Sequence, residues 1–215
     1  MNDLDRFARD LFKSAQAPVS WLLSAERLQD AAEVILRHEQ QFEVSYFQAY
    51  EEAQQKAVAE AYADGQTAGV AEIEARPPNY PPAQLLYAFA IENALKGLIV
   101  ASKPHLINDE KLSRALTSHD LIALAREAEF TVHREEEVVL KALSELSVWA
   151  GRYPVARTRS EHEGKPNSDE LLDYGSAHPV MRRFFDRAYR ALEDKLPKPI
   201  ESRFGAVVVF RQPGL

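Results

Sequence analysis

The chain has 215 residues, contains no cysteine and carries a formal net charge of −7 at pH 7. The absence of cysteine excludes a disulfide framework and any metal site built on thiolates, and the length allows one elaborated domain or two small ones. The negative charge argues against indiscriminate nucleic-acid binding, since that affinity comes from Lys and Arg neutralising phosphates. Residues 1–80 hold seven Lys and Arg against fourteen Asp and Glu, so any polyanion site belongs in residues 81–215.

The N-terminal part of the sequence predicts two helices. Residues 2–15 fit a short amphipathic helix that ends before Pro18, and Ser24 can cap a much longer helix over about 25–64, which contains no proline or glycine. A helix of that length spans roughly 60 Å. Glu39 interrupts its apolar stripe, so we expect part of this helix to face water or a partner.

A proline-rich boundary at 76–82 precedes a helix over about 83–102 that is apolar nearly all round. This pattern indicates a central helix covered by neighbours on several sides. Glu92, Asn93 and Lys96 interrupt it, and charges at mid-bilayer cost roughly 3 kcal/mol each, which argues against a membrane span. Because the N-terminus shows no basic region leading into an apolar run, we expect a cytoplasmic protein without a membrane partner.

The rest of the chain predicts three more helices and a tail. Thr117, with Asp120 three residues later, resembles a capping box that opens the first of these helices. The helices are expected at about 119–130, 134–150 and 178–196, with a loop at 163–175 and a strand-like tail after the last helix.

The predicted fold class is therefore all-α, a bundle of four to five main helices with a very long N-terminal helix and a short C-terminal strand-like tail. We expect an N-terminal helical elaboration over 1–79, the bundle over 80–196 and the tail over 197–215. The run "AVVVF" in the tail presents strand edges that need pairing, which predicts a homodimer. The sequence leaves open whether the long helix packs on its own bundle or on another chain.

Glu92 and Lys96 stand four residues apart on one face of the central helix, with Asn93 beside them. Charges on so apolar a helix are costly unless they are paired, so one interpretation is a self-satisfied ion pair that fixes the register of the bundle. In the other interpretation Glu92 accepts a proton from an imidazole, and His119 is the natural candidate because its own helix begins there.

The segment "WAGRYP" also has two interpretations. Trp149 and Tyr153 can supply apolar area at a helix C-terminus, while Arg152 bonds the last carbonyls or pairs with Glu92. Alternatively, Arg152 faces a phosphate and Tyr153 stacks on an unpaired base.

The last predicted helix is rich in arginine. We interpret these arginines as a solvated face, with Arg187 and Arg190 pairing with acids of the N-terminal helix, and a surface that tracks RNA is the alternative. His105, His133 and His178 are isolated in the sequence, so no metal-ligand spacing appears and neither a metal nor a cofactor is predicted.

The run "ENALKGLI" followed by "SHDLIALA" resembles the HEPN superfamily (higher eukaryotes and prokaryotes nucleotide-binding). The matching residues are Glu92, Lys96, His119 and Leu121, and the resemblance covers about residues 80–195. It implies a helical bundle, with this cluster at a site that binds nucleotide or RNA.

Ribonucleases of that family carry an arginine, four to six residues and then a histidine. Arg157 and His162 have the four-residue spacing, with the polar Thr158 after the arginine. The resemblance would imply metal-independent RNA cleavage at a dimer interface, with His162 as general acid or base and Arg157 on the phosphate.

In active members of the family this motif lies on a helix, whereas Arg157 and His162 lie in a segment rich in helix breakers. A catalytic pair has to be held to within about 1 Å. We therefore favour a HEPN-like binding and dimerisation module for a partner protein, nucleotide or RNA without catalysis. The alternative is a metal-independent ribonuclease of toxin or defence type, whose implied partner is an antitoxin-like or nucleotidyltransferase-like protein.

Overall fold

The structure is a computed structural model that describes residues 3–63, 65, 71–150 and 174–197. These residues form six α-helices and no strand, which confirms the all-α class. The helices are α1 Asp3–Ala15, α2 Pro18–Ala63, α3 Pro81–Ser102, α4 Leu121–Glu127, α5 Arg134–Glu145 and α6 Tyr174–Lys195. Two 3-10 turns, Pro104–Leu106 and Arg114–Leu116, connect α3 to α4, and a π-helical turn, Leu146–Ala150, extends α5.

The core is built around α3, as its apolar sequence predicts. Helices α2, α4, α5 and α6 all pack on it. Five large side chains of α3 are completely or almost completely buried: Tyr87, Ile91, Leu95, Leu98 and Ile99. This helix also has the length and composition to cross a membrane, but 67% of its most apolar window is buried inside the bundle, and a soluble core helix has the same pattern.

A glycine allows two helices to approach α3 closely. A Cβ atom at Gly97 would lie 2.4 Å from Leu192 Cδ2 of α6 and 3.0 Å from Trp21 Cβ of α2. Since both distances are shorter than ordinary contacts between carbon atoms, a larger residue at this position would push the helices apart.

Helix α2 runs antiparallel to α3 and packs on its own bundle along its first half. Trp21 lies opposite Gly97, Glu33 opposite Tyr87, and Glu39 opposite Asn79, just before α3 begins. With 46 residues, α2 is about 69 Å long, whereas the 22 residues of α3 span about 33 Å. The second half of α2 therefore extends past the start of α3.

Three of the predicted helix starts were wrong. Helix α2 begins at Pro18, and Ser24 lies inside it rather than capping it. Proline is favoured in the first turn because its missing N–H has no partner there in any helix. Asp120, not Thr117, caps α4, since its side chain accepts a hydrogen bond from the Ala123 N–H, while Thr117 donates to the Arg114 carbonyl.

The third error concerns α6, which begins at Tyr174, four residues before its predicted start. Its Pro179 lies within the first two turns of the helix. The rest of the predicted loop at 163–175 and the strand-like tail after Pro197 fall outside the described residues.

Candidate functional site around Glu92 and His119

Glu92 and Lys96 form a buried ion pair in the middle of α3. Lys96 Nζ donates to Glu92 Oε1 over 2.6 Å, and the two side chains are only 6% and 8% exposed. The pairing follows from the helix itself, since residues four apart lie on the same face. One carboxylate oxygen of Glu92 is thereby satisfied.

His119 satisfies the other oxygen. Its Nδ1 lies 2.9 Å from Glu92 Oε2, so an ionised Glu92 accepts a hydrogen bond from the imidazole. The His119 side chain is 42% exposed, which connects the buried pair to the surface of the bundle. Two contacts that the sequence analysis gave as alternatives for Glu92, one with Lys96 and one with His119, are thus present together.

Asn93 has a separate hydrogen bond. Its Nδ2 donates to the Phe89 carbonyl over 2.7 Å, within α3. The amide is half-buried and holds the helix backbone beside the cluster. Among the described contacts, it therefore supports the site from its own helix.

The position of His119 is set by the start of α4. Asp120 caps that helix, and the Leu121 N–H donates to Ser144 Oγ over 3.0 Å. Ser144 in turn donates to the Leu140 carbonyl, one turn before the end of α5. This network ties the His119 end of α4 to the end of α5, immediately before the π-helical turn.

The remaining predicted site residues follow that turn in the sequence. Arg152 and Tyr153 were predicted as binding residues, and Arg157 and His162 as a catalytic pair. All four lie outside the described residues, so their roles stay predictions. The side chain of Trp149 is likewise outside the described part of the chain.

The geometry around Glu92 favours a structural role over proton transfer. Both carboxylate oxygens have a partner, and the positive charge of Lys96 balances the carboxylate within the core. Removing either member would leave an uncompensated buried charge, which is strongly destabilising. Among the described residues no three His, Asp or Glu side chains group in a way that could hold a metal ion.

A second polar cluster was missed by sequence reasoning. The Tyr87 hydroxyl donates to Glu33 Oε1 in a short hydrogen bond, and His178 Nε2 lies 3.0 Å from the same oxygen. Gln29 also donates to the Tyr87 hydroxyl. This cluster joins α2, α3 and α6 beneath the surface and fixes their relative positions.

The titration of this second cluster reflects its contacts. Burial acts to raise the pKa of Glu33, but the hydrogen bonds from Tyr87 and His178 outweigh it and hold the pKa below its usual value. Burial, together with the neighbouring Glu33 carboxylate, raises the pKa of Tyr87 well above its usual value. The cluster therefore contains an ionised carboxylate and a neutral phenol at neutral pH.

Glu39 is another buried carboxylate, and it holds the chain that leads into α3. The Asn79 N–H donates to Glu39 Oε2 over 2.8 Å, and Arg76 donates to both carboxylate oxygens. The Asn79 hydrogen bond, partly opposed by burial and reinforced by Arg76, lowers the pKa of Glu39. The polar interruption noted in the α2 stripe is therefore an anchor for the returning chain.

Arg187 of α6 pairs with a different helix from the one expected. Its guanidinium donates to both oxygens of Glu136 in α5, each over 2.8 Å, and lies over the rings of Phe130 and Phe184. The prediction that it pairs with acids of the N-terminal helix was wrong. Helix α6 turns this residue toward α5, so the arginine closes the bundle on that side.

Comparisons with known proteins identify no relative of this chain. No family model matches the chain, and neither the characterised proteins nor the solved structures provided a match.

Proposed function

We propose that the protein is a HEPN-like helical module that dimerises and binds a partner protein, a nucleotide or RNA without catalysis. The likeness depends on Glu92, Lys96, His119 and Leu121, whose motif runs are compatible with the helical arrangement around α3. We further propose that it works in the cytoplasm.

The observation that carries this proposal is that each carboxylate oxygen of Glu92 already has a partner within the bundle. A general base needs a carboxylate free to accept a proton from a substrate, whereas Glu92 already accepts from Lys96 and His119. The exposed part of the His119 imidazole is then a polar contact for a ligand at the surface. Residues 152–165 lie outside the described residues and contain three arginines, which we propose supply the positive charge that a phosphate ligand requires.

RNA binding and cleavage can be measured on the same samples. The full chain is incubated in EDTA with a fluorescein-labelled single-stranded RNA of mixed sequence, and both anisotropy and strand length are followed. We expect binding without cleavage, and about fivefold or greater weakening by Arg152→Ala or His119→Ala. Lys56→Ala is the matched control, because Lys56 is 71% exposed on the second half of α2, which extends past the start of α3.

Two outcomes of this assay oppose the proposal. Cleavage that is lost in His162→Ala would establish the ribonuclease alternative through Arg157 and His162. Absence of binding to RNA and to mixed nucleotides, together with a monomer in light scattering at micromolar concentration, would remove the module altogether. An antitoxin-like or nucleotidyltransferase-like protein encoded beside this chain is the partner class to test first.

A further inference from the structure

The second half of α2 exposes five large apolar side chains along one side of the helix, interrupted by Glu51 and Gln54 between Tyr50 and Val58. We call this row the outer face of α2, and it consists of Val44 (66% exposed), Phe47 (53%), Tyr50 (46%), Val58 (53%) and Tyr62 (86%). At about 100° per residue these positions fall within an arc of about 120°. This side of the helix therefore presents large apolar side chains to solvent, with Glu43, Glu51 and Gln54 among them.

The opposite side of the same half of α2 is partly covered by the chain. Phe42, Tyr46, Ala49 and Ala53 lie on this side and are half-buried. At the base of this side, Arg76 bonds to Glu39 and its guanidinium lies 4.3 Å from the centre of the Phe42 ring. The chain therefore covers one side of the projecting helix and leaves the outer face open.

An open apolar row on a projecting helix marks an interaction surface. Large contiguous apolar patches are uncommon on soluble monomers, and where they occur they commonly serve association. Tyrosine and phenylalanine supply large contact area with little loss of side-chain entropy, which suits them to interfaces. The outer face has three such rings, of which Tyr50 and Phe47 both contact Tyr46 on the helix.

The charge on this half of α2 selects the kind of partner. Residues 40–63 contain four glutamates and one lysine. Lys56 already pairs with Glu60, while Glu43 and Glu51 lie one turn before and one turn after Phe47. A second copy of this chain would bring glutamates against glutamates, whereas lysines and arginines on a partner would be attracted.

We propose that the outer face of α2 docks an amphipathic helix of another protein whose apolar stripe is flanked by lysine and arginine. The apolar stripe packs against Phe47, Tyr50 and Val58, and the flanking cations pair with Glu43 and Glu51. This inference rests on the proposed function as a binding module, and it assigns the protein partner to a surface separate from the Glu92 and His119 site.

The test uses designed peptides and the full-length protein. The probe is a fluorescein-labelled peptide of about 24 residues with leucine at heptad positions a and d and lysine at e and g. A second peptide replaces every lysine by glutamate, and a third scrambles the first. Fluorescence anisotropy measures binding to the wild type and to the double variant Phe47→Gln/Val58→Gln. Val138→Gln is the matched control, because Val138 is 66% exposed on α5.

We expect the basic amphipathic peptide to bind with a Kd of about 1–50 µM. The double variant should weaken that binding about tenfold or more, and Val138→Gln should leave it unchanged. Binding should also weaken as salt is raised from about 50 mM to about 500 mM, since screening removes the charge contribution. The acidic and scrambled peptides should not bind.

Three results would overturn the inference. They are no binding of the basic peptide at about 100 µM, equal binding of the acidic peptide, or equal binding to the double variant. Sedimentation velocity provides a fourth test. If the wild type is a dimer and Phe47→Gln/Val58→Gln is a monomer, the outer face binds a second copy of this chain and the inference is wrong. If the protein binds the basic peptide and also cleaves RNA, the docking inference stands and the proposed non-catalytic function is wrong. The two proposals can therefore fail independently.

Discussion

Residues 18–39 of α2 bury four apolar side chains in the core around α3 and expose three large ones, whereas residues 43–62 of the same helix bury one, Ala61, and expose five large ones. The buried set is Leu22, Ala25, Ala32 and Leu36. Both halves are rich in Ala, Glu and Gln, so intrinsic helix propensity favours the helix throughout. The first half gains additional stability from tertiary burial, while the second depends more on propensity and on the contacts near Glu39. The same helix is therefore part of the core at one end and available for contact at the other.

The largest expected effect is on the packed side of this comparison, at Lys96. Lys96→Met leaves the Glu92 carboxylate buried without its charge partner, and we expect a loss of about 3–5 kcal/mol in the free energy of unfolding. Urea denaturation followed by circular dichroism measures it. The double variant Glu92→Leu/Lys96→Met is the control, and it should come close to wild-type stability. A single variant within about 1 kcal/mol of wild type would show that the pair is not part of the packed core.

Glu39 lies at the border between the two halves of α2. A substitution there tests how much its contacts with Asn79 and Arg76 contribute to stability. Glu39→Gln weakens the charge-assisted bonds to Asn79 and Arg76, with an expected loss of about 1.5–3 kcal/mol at neutral pH. Because the folded pKa of Glu39 lies below its ordinary value, the stabilisation is present above the unfolded pKa and is lost as the pH falls through the folded pKa. Denaturation at about pH 7 and about pH 3 should therefore show a difference from wild type that shrinks in acid.

Glu33 provides the comparison for that pH dependence. Its folded pKa is also lowered, so the wild type and Glu39→Gln should both still lose stability in acid through Glu33. A Glu39→Gln difference that stays constant from neutral to acidic pH would contradict the role given to this carboxylate.

A matched pair of valine substitutions compares the two halves directly. Gly97→Val places atoms where Leu192 and Trp21 already lie, and we expect it to cost about 1–3 kcal/mol in stability. Ala59→Val adds a valine at an exposed position of the second half, where only helix propensity changes, and should cost less than about 0.7 kcal/mol. Thermal denaturation of both variants checks the contrast. Equal costs would mean that α2 and α6 do not meet α3 as closely as described.

The smallest effect is expected on the outer face itself. Phe47→Gln and Val58→Gln should each change the free energy of unfolding by no more than about 0.5 kcal/mol, because both side chains are half exposed or more. Hydrogen exchange should at the same time show faster exchange in residues 43–62 than in 22–36. A large loss of stability in either variant would show that the chain itself covers this face.

The sequence carried enough information for the elements whose signal is local. Helix α3 was predictable because it is apolar on every side, and the Glu92 and Lys96 pair because the two residues lie one turn apart. His119 was proposed as a partner of Glu92 because a helix was expected to begin at that residue. The family likeness led to Arg157 and His162, which lie outside the described residues and stay predictions.

The clusters that were missed join residues far apart in the chain. Glu33 lies 54 positions from Tyr87 and 145 from His178, so no spacing in the sequence connects them. Their meeting depends on the antiparallel register of α2 and α3, which is set by packing over many side chains. Arg187 was assigned to the wrong helix for the same reason, since the rotation of α6 about its axis decides which neighbour it reaches.

The length of α2 beyond the start of α3 has a geometric consequence. From Glu39 to Ala63 the helix extends by about 36 Å, at 1.5 Å per residue. A change of only about 5° in the direction of α2 at Glu39 would therefore displace its end near Tyr62 by about 3 Å.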